Sequence, residues 1–107
     1  MDYVSPFERQ LGVLFGRTVR KRRLQLHLTQ QDVALAARMD RSHYQAMEAG
    51  RSDRKTNRPA NPTLNTLVRL AIVFQCTIDD LLAPIVRLMN DYPEEVHEWF
   101  DSLEFKS

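Results

Sequence analysis

Two short helical segments with almost nothing between them constrain the fold most. Thr29 is a good capping residue for the first segment, and Asp40 is one for the second. Gly50 suits the left-handed conformation that commonly follows a helix. The spacing therefore predicts helix 2 from Gln30 to about Arg38, and helix 3 from its cap Asp40 through Tyr44 and Glu48 to a stop at Gly50. Because only about three residues separate them, the two helices must cross at a steep angle.

Capping residues and apolar periodicity outline the rest of the chain. Helix 1 is predicted over about 6–26, and helix 4 over about 64–74. Helix 5 should begin after Thr77 and end before Pro84, since proline removes a helical hydrogen bond. Pro93 opens a further amphipathic segment. No apolar/polar alternation of the kind that marks a strand is present, so the predicted class is all-α.

The predicted organisation is one domain followed by a short appendage. Residues 1–84 form the domain, and 85–107 form an acidic amphipathic extension. An N-terminal stretch, 1–16, belongs to helix 1 or precedes it. Gly12 and Gly16 each cost about 1 kcal/mol in a helix, so this stretch is expected to be loose or to become helical later.

Charge is divided between the two halves of the chain. Residues 17–58 carry eleven Arg and Lys side chains against four acids, whereas residues 79–107 carry eight acids against two bases. A basic half favours a polyanion as partner for that half, although such a charge pattern also serves plain solubility. The polar, basic segment 51–62 contains two prolines and is predicted to be a loop.

Several classes of protein are excluded. The single cysteine, Cys76, leaves no intrachain disulfide or cysteine-rich zinc site, which fits a cytoplasmic protein. No apolar run approaches the roughly 20 residues of a membrane span. The three histidines are scattered, and no glycine-rich phosphate loop is present. We therefore expect no enzyme, no metal and no cofactor.

Four segments in order carry a family resemblance. These are LTQQDVA at the start of helix 2, ME-x-G at the end of helix 3, PTLNTLVRLA and TIDDLL. Over about residues 17–83 the chain resembles the lambda-repressor/Cro-like helix-turn-helix regulators, also called the xenobiotic-response-element type. The resemblance implies a five-helix DNA-binding domain, here with a short C-terminal helical extension, and double-stranded DNA as partner.

The resemblance also assigns structural roles. Core positions between the crossing helices are expected at Val33, Ala34, Ala37, Tyr44 and Met47. An alternative for Tyr44 sends its hydroxyl outward toward a phosphate. His27 and Arg38 stand where the family often has glycine, so both are expected at positive φ. Arg23 and Glu48 are expected to form a partly buried ion pair between helices 1 and 3, the alternative being two unrelated surface charges.

In this motif the second helix of the pair enters the major groove. Residues near its start are expected at the base edges, namely Arg41, Ser42, Gln45 and Ala46. Arg41 can fork onto guanine, Gln45 can pair with adenine, and Ala46 can touch a thymine methyl group. The alternative is that Arg41 and Gln45 are merely solvated.

Phosphate contacts are expected from polar residues around this helix. Gln30 stands at the start of helix 2, whose free N–H groups favour an anion. The full expected set is Gln30, Gln31, His43, Arg20, Lys21, Arg51, Arg54, Lys55 and Arg58. For the loop after helix 3, the alternative is a floppy segment with nonspecific attraction only.

A homodimer on a palindromic operator is expected, because one domain would touch one half-site only. The predicted dimer surface is the apolar side of the acidic extension, namely Leu88, Val96, Trp99, Phe100 and Leu103. Phe7, Leu11 and Phe15 could contribute to it, and the alternative is that these residues cap the monomer's own core. The predicted function is a transcriptional repressor or autoregulator. An antitoxin or a protein–protein adaptor that uses the acidic extension as its partner surface is the alternative.

Overall fold

The computed structural model describes residues 4–103, which fold into six helices without a β-sheet. The helices are α1 (Pro6–Gln25), α2 (Gln30–Ala36), α3 (Arg41–Glu48), α4 (Leu64–Val73), α5 (Ile78–Asp91) and α6 (Pro93–Ser102). The predicted all-α class is confirmed. All six helices begin within about two residues of the positions predicted from capping residues and proline.

Hydroxyl side chains begin four of the helices. Ser5, Thr29, Thr63 and Thr77 each accept a hydrogen bond from the backbone N–H three residues later, at 3.0–3.3 Å. Each cap is worth about 1 kcal/mol because it satisfies a donor that the helix leaves unpaired. Asp40 stands at the same position before α3, but its side chain makes no such bond.

Helices α1 to α4 all end in one motif. In each, a residue at positive φ follows the helix, and the next N–H bonds to a carbonyl five residues earlier. The residues at positive φ are His27 (58°), Arg38 (58°), Gly50 (81°) and Gln75 (56°). The expectation for His27 and Arg38 is confirmed. Gln75 was not foreseen, because nothing in its sequence context differs from that of an ordinary helical residue.

Replacing Gln75 with glycine should therefore raise the free energy of unfolding by about 1 kcal/mol, since glycine adopts positive φ without strain. Gln25, which is exposed in the last turn of α1, is the matched control. Gln25→Gly should lower the free energy of unfolding by about 1 kcal/mol, because that position is helical. Urea denaturation of the two variants would measure both, and equal losses would contradict the account of Gln75.

One core joins the first five helices. Phe15 and Val19 of α1 meet Leu67 and Leu70 of α4 and Leu81 of α5, all nearly inaccessible to solvent. The five positions predicted to lie between α2 and α3 are also buried, namely Val33, Ala34, Ala37, Tyr44 and Met47. Tyr44 is 0% exposed, so the alternative in which its hydroxyl reaches outward is wrong.

The predicted end of α5 before Pro84 is wrong. The helix continues to Asp91 and crosses the boundary between residues 84 and 85. Leu81 and Leu88, seven residues apart and so on one face, are buried on either side of Pro84, and α5 packs on α1. Burial of two leucines, at about 1.5–3 kcal/mol each, offsets the roughly 3 kcal/mol that proline costs inside a helix.

A side chain from α4 closes the turn between α2 and α3. Arg69 Nη1 donates to the carbonyl oxygens of Ala37 and Arg38, both at 3.0 Å. These carbonyls follow α2, where a helix end leaves acceptors unpaired. The turn that separates the two crossing helices is therefore held by a third helix.

Helix α6 packs against the start of α1. The rings of Trp99 and Phe7 lie 4.9 Å apart, and Trp99 Nε1 donates to Glu8 Oε1 at 3.2 Å. No residue of α6 is fully buried.

Among residues 4–103, no helix combines the length and apolarity needed to cross a membrane.

Candidate nucleic-acid interface

The start of α3 presents a polar, exposed surface. Arg41, Ser42, His43 and Gln45 are all solvent-accessible, while Tyr44 and Met47 anchor the other side of the helix in the core. This arrangement leaves the Arg41 guanidinium and the Gln45 amide available for hydrogen bonds to base edges.

The expected base contact by Ala46 is wrong. Its residue is only 2% exposed. α3 packs on α1, and the chain turns back after α3, where the Arg51 N–H donates to the Ala46 carbonyl at 2.9 Å. An alanine enclosed in this way cannot reach a thymine methyl group.

The start of α2 is linked to the end of α3. Gln30 Nε2 donates to Glu48 Oε1 at 3.1 Å, which leaves the second N–H of the amide available. Gln30 is half-buried, and the neighbouring Gln31 is exposed. Both side chains lie in the first turn of α2, where the backbone N–H groups favour an anion.

The predicted ion pair between Arg23 and Glu48 is present. Arg23 Nε lies 2.6 Å from Glu48 Oε2, and Arg23 Nη2 lies 3.0 Å from Glu48 Oε1. The two side chains are only 12% and 4% exposed, respectively. Arg23 Nη1 also donates to the Leu28 carbonyl at 2.9 Å. The pair thus ties α1 to α3 and to the chain that enters α2.

Burial and hydrogen bonding act in opposite directions on Glu48. Burial alone would raise the pKa of its carboxyl, but the hydrogen bonds from Arg23 and Gln30 outweigh burial and lower that pKa. The hydrogen bond to Glu48 raises the pKa of Arg23. Burial, together with the Glu48 carboxylate, raises the pKa of the Tyr44 phenol far above its ordinary value. The cluster is therefore a charged pair in contact with a neutral phenol.

The segment after α3 is an ordered turn of chain, which we call the basic hairpin (residues 51–60). Arg51 and Pro59 form an antiparallel bridge, and the Ser52 N–H donates to the Arg58 carbonyl at 3.0 Å. At its base the Ala60 N–H donates to the Gly50 carbonyl at 2.8 Å. These bonds give the segment a defined backbone path and favour it over the alternative of a floppy loop.

Asp53 shapes the tip of the basic hairpin. Its Oδ1 accepts from the backbone N–H groups of Lys55 and Thr56, both at 2.7 Å, and from the Thr56 hydroxyl at 3.2 Å. These bonds lower the pKa of Asp53, the Thr56 N–H contributing most. Arg54 and Lys55, the two central residues of this turn, remain exposed.

The tip of the basic hairpin and the start of α3 share one open cleft of about 660 Å³. It is lined by Asp40, Ser42, His43, Asp53, Arg54 and Lys55. The structure thus brings two cations of the predicted phosphate set next to residues at the start of the helix predicted to read bases. Arg51 and Arg58 lie lower on the same hairpin and are also exposed.

Two cations of the predicted phosphate set lie elsewhere. Arg20 and Lys21 are exposed on α1, where they line a separate shallow groove with Arg17 and Leu24. The structure does not bring them into the cleft beside α3.

The predicted dimer surface is only partly available. Leu88 is 6% exposed and belongs to the monomer's interior, and Trp99 is occupied by Phe7 and Glu8, so for these two the alternative of capping the monomer applies. Phe15 is likewise buried in the core. Phe100 and Leu103 are 64% and 48% exposed. Val96, Phe7 and Leu11 are partly buried.

A different apolar surface lies on α4, which we call the α4 ridge (Leu64, Val68 and Ile72). These side chains are 77%, 45% and 72% exposed and recur every four residues, on one side of the helix. This surface could have been predicted from the sequence, because apolar residues occupy more of α4 than its core-facing side.

The contact of Arg9 with Asn57 could not have been predicted from the sequence, since it joins residues 48 positions apart.

No cluster of His, Cys, Asp or Glu within residues 4–103 is arranged to hold a metal ion.

Comparison with known proteins agrees with this geometry. The helix-turn-helix family model matches residues 19–81. A solved structure of the restriction-modification controller protein C.AhdI from Aeromonas hydrophila superposes with a TM-score of 0.54 at 28% identity, covering 64% of this chain and 92% of that one. A comparison with curated proteins finds no match. Because the family model covers more than half of the chain, the chain belongs to the lambda-repressor/Cro-like helix-turn-helix family of DNA-binding transcription regulators.

Proposed function

We propose that the protein binds a specific palindromic sequence in double-stranded DNA and acts as a repressor or autoregulator. The observation that carries the proposal is the shared cleft in which the exposed start of α3 adjoins the cations of the basic hairpin. Arg41 and Gln45 read bases in the major groove, with Ser42 beside them. Backbone contacts fix the register of the helix but carry no sequence information themselves.

The phosphate contacts come from both sides of α3. Gln30 and Gln31 bind at the start of α2, where free backbone N–H groups face an anion. The basic hairpin supplies Arg54 and Lys55, and His43 lies beside them in the cleft. Arg51, Arg58, Arg20 and Lys21 extend the positive surface further from the bases. With about six phosphates neutralised, the logarithm of affinity should fall with the logarithm of salt concentration at a slope near −5.

Substituting alanine for both Arg41 and Gln45 tests the proposal. The wild-type protein is first used to select duplexes from a random library, and binding to the selected duplex is then titrated at several salt concentrations. The double variant should bind about 100-fold more weakly, because each bidentate base contact is worth about 1–3 kcal/mol. Arg87→Ala, an exposed change on α5, should bind like the wild type. A double variant with undiminished affinity, or an affinity that ignores salt, would contradict base reading by α3.

A second copy of the chain completes the palindromic contact, and we place the dimer surface on the α4 ridge. The one charged side chain of α4 is Arg69, and its guanidinium is bound to the carbonyls after α2. The ridge is thus an uncharged apolar surface, and two-fold symmetry can pair it with itself. Burial in a dimer removes three exposed aliphatic side chains from water.

Ile72→Glu should therefore convert a dimer into a monomer in sedimentation experiments, because two carboxylates would be buried at the two-fold contact. Phe100→Glu and Val86→Glu are the controls, since both side chains are exposed outside the ridge. Dissociation by Phe100→Glu alone would instead place the dimer on the acidic extension. A wild-type monomer at all concentrations would contradict both surfaces.

The likeness to a restriction-modification controller favours autoregulation within a restriction–modification system as the specific role. The alternative, an antitoxin or adaptor, is favoured by two exposed apolar side chains, Phe100 among the acids of α6 and Leu103 directly after that helix. The two proposals differ in the Arg41 and Gln45 double variant, which would lose regulation in the first case and keep partner binding in the second.

A further inference from the structure

The start of α1 is tied to the basic hairpin by a residue outside the predicted DNA-binding set. Arg9 Nη2 donates to the backbone oxygen of Asn57 at 2.9 Å, and Arg9 Nη1 donates to Asn57 Oδ1 at 3.3 Å. The planar fork of a guanidinium thus holds the main chain and the side chain of one residue together. Asn57 lies on the returning arm of the hairpin, so α1 fixes that arm in place.

The base of the hairpin is fixed independently. A Cβ atom added to Gly12 would lie 2.7 Å from the Gly50 oxygen and 2.9 Å from the Ala60 nitrogen. The glycine therefore allows α1 to contact the hairpin base directly. Arg9, one turn earlier in α1, holds the hairpin nearer to its tip.

Hydrogen bonds within the protein thus define the path of the tip without a ligand. The Asp53 carboxylate bonds the N–H groups of the turn, and Arg54 and Lys55 extend into the cleft beside Ser42. Binding through a loop that must first become ordered loses affinity to conformational entropy, and an already ordered loop avoids that loss.

We infer that Arg9 is a positioning residue for DNA binding, which holds the basic hairpin so that Arg54 and Lys55 bind the backbone phosphates that flank the bases contacted by α3. The inference rests on the proposed function. In it Arg9 itself does not touch DNA. Loss of Arg9 acts only through the two tip cations.

A double-mutant cycle separates this role from a direct contact. Wild type, Arg9→Ala, the Arg54→Ala/Lys55→Ala pair and the triple variant are titrated with the duplex selected by the wild type. Removing the two tip cations should weaken binding about tenfold and reduce the salt slope by about 2, at about 0.9 per phosphate contact. Arg9→Ala should weaken binding about threefold to tenfold by releasing the hairpin. The triple variant should bind no more weakly than the tip pair, because Arg9 then has nothing left to position.

Fully multiplicative effects in the triple variant would overturn the inference and make Arg9 a phosphate ligand. Arg9→Lys gives a second test, since lysine keeps the charge but lacks the fork. It should bind like Arg9→Ala, and wild-type affinity in this variant would show that only charge matters. Arg87→Ala removes one arginine charge elsewhere and should have no effect.

The Arg9→Ala variant should remain folded during the titration, because the Arg9 contact is exposed and such contacts contribute little to the free energy of unfolding. Failure of the wild type to select any duplex would remove the proposed function itself. If the wild type selects a duplex and the Arg9→Ala variant binds that duplex with equal affinity, only the positioning role of Arg9 is contradicted.

Discussion

Replacing Glu48 with alanine should lower the free energy of unfolding by about 3–5 kcal/mol, because it leaves a buried arginine without its partner. The Arg23 side chain is 12% exposed and would keep its charge with the Leu28 carbonyl as its remaining acceptor. The Gln30 amide would lose its acceptor as well. Urea denaturation would measure the loss, and the unfolding free energy should depend on urea concentration with the same slope in the variant and the wild type.

The protein contains a matched control for this change. Arg22 and Asp80 also form an ion pair, but they are 3.9 Å apart and 34% and 47% exposed. Arg22→Ala should cost about 0–1 kcal/mol, as is usual for exposed pairs. Similar losses in Glu48→Ala and Arg22→Ala would mean that the Arg23–Glu48 pair contributes no more than an exposed one.

Acid should destabilise the wild type through the same carboxylate. The pKa of Glu48 is lowered in the folded protein, so the unfolded chain binds its proton first as pH falls. The contribution of Glu48 to stability is complete above the ordinary glutamate pKa and is lost as pH falls through the lowered one. Glu48→Gln should therefore show a smaller loss of unfolding free energy than the wild type between about pH 5 and pH 3. Parallel pH profiles for the two proteins would contradict this assignment.

Gly16→Ala should be destabilising by about 2–4 kcal/mol, although alanine is the better helix former by about 1 kcal/mol. A Cβ atom at Gly16 would lie 2.6 Å from the Glu48 oxygen and 2.7 Å from the Met47 oxygen. Both atoms belong to the backbone of α3 and cannot move aside as a side chain could. The variant must therefore separate α1 from α3 or strain both helices.

Arg17→Ala is the control for helix propensity, because Arg17 is the next residue and is exposed. It should change the unfolding temperature little. The sign of the change in unfolding free energy in the Gly16→Ala variant decides between two explanations for the glycine. A gain in stability would show that propensity dominates, and a loss would show that close contact between helix backbones dominates.

Local rules predicted most of the fold. Thr29, Thr63 and Thr77 begin helices because a hydroxyl can satisfy a nearby N–H, and this depends only on residues a few positions apart. The path of α5 through Pro84 was not predictable in this way, since it depends on burial of Leu81 and Leu88 against α1. The role of Gly12 and Gly16 was misjudged for the same reason, because their value lies in contacts with distant backbone.

The candidate site was predicted less completely. The pairing of Arg23 with Glu48 and the exposure of Arg41 and Gln45 agree with the family resemblance. Ala46 was assigned to the wrong side of α3, since an eight-residue helix has too few turns for periodicity to separate its sides. The hairpin was not foreseen because the bonds that close its arms, from Ser52 to Arg58 and from Ala60 to Gly50, join backbone groups and carry no side-chain signature.

Because Arg69 of α4 donates hydrogen bonds to the carbonyls of Ala37 and Arg38, the helix-turn-helix motif depends on a residue outside it. Grafted alone onto another scaffold, residues 29–49 would keep their DNA-contacting side chains but would lose the Arg69 hydrogen bonds that hold the turn between α2 and α3. A graft that also supplies a guanidinium at the place of Arg69 should keep its sequence preference, whereas one without it should bind DNA indiscriminately.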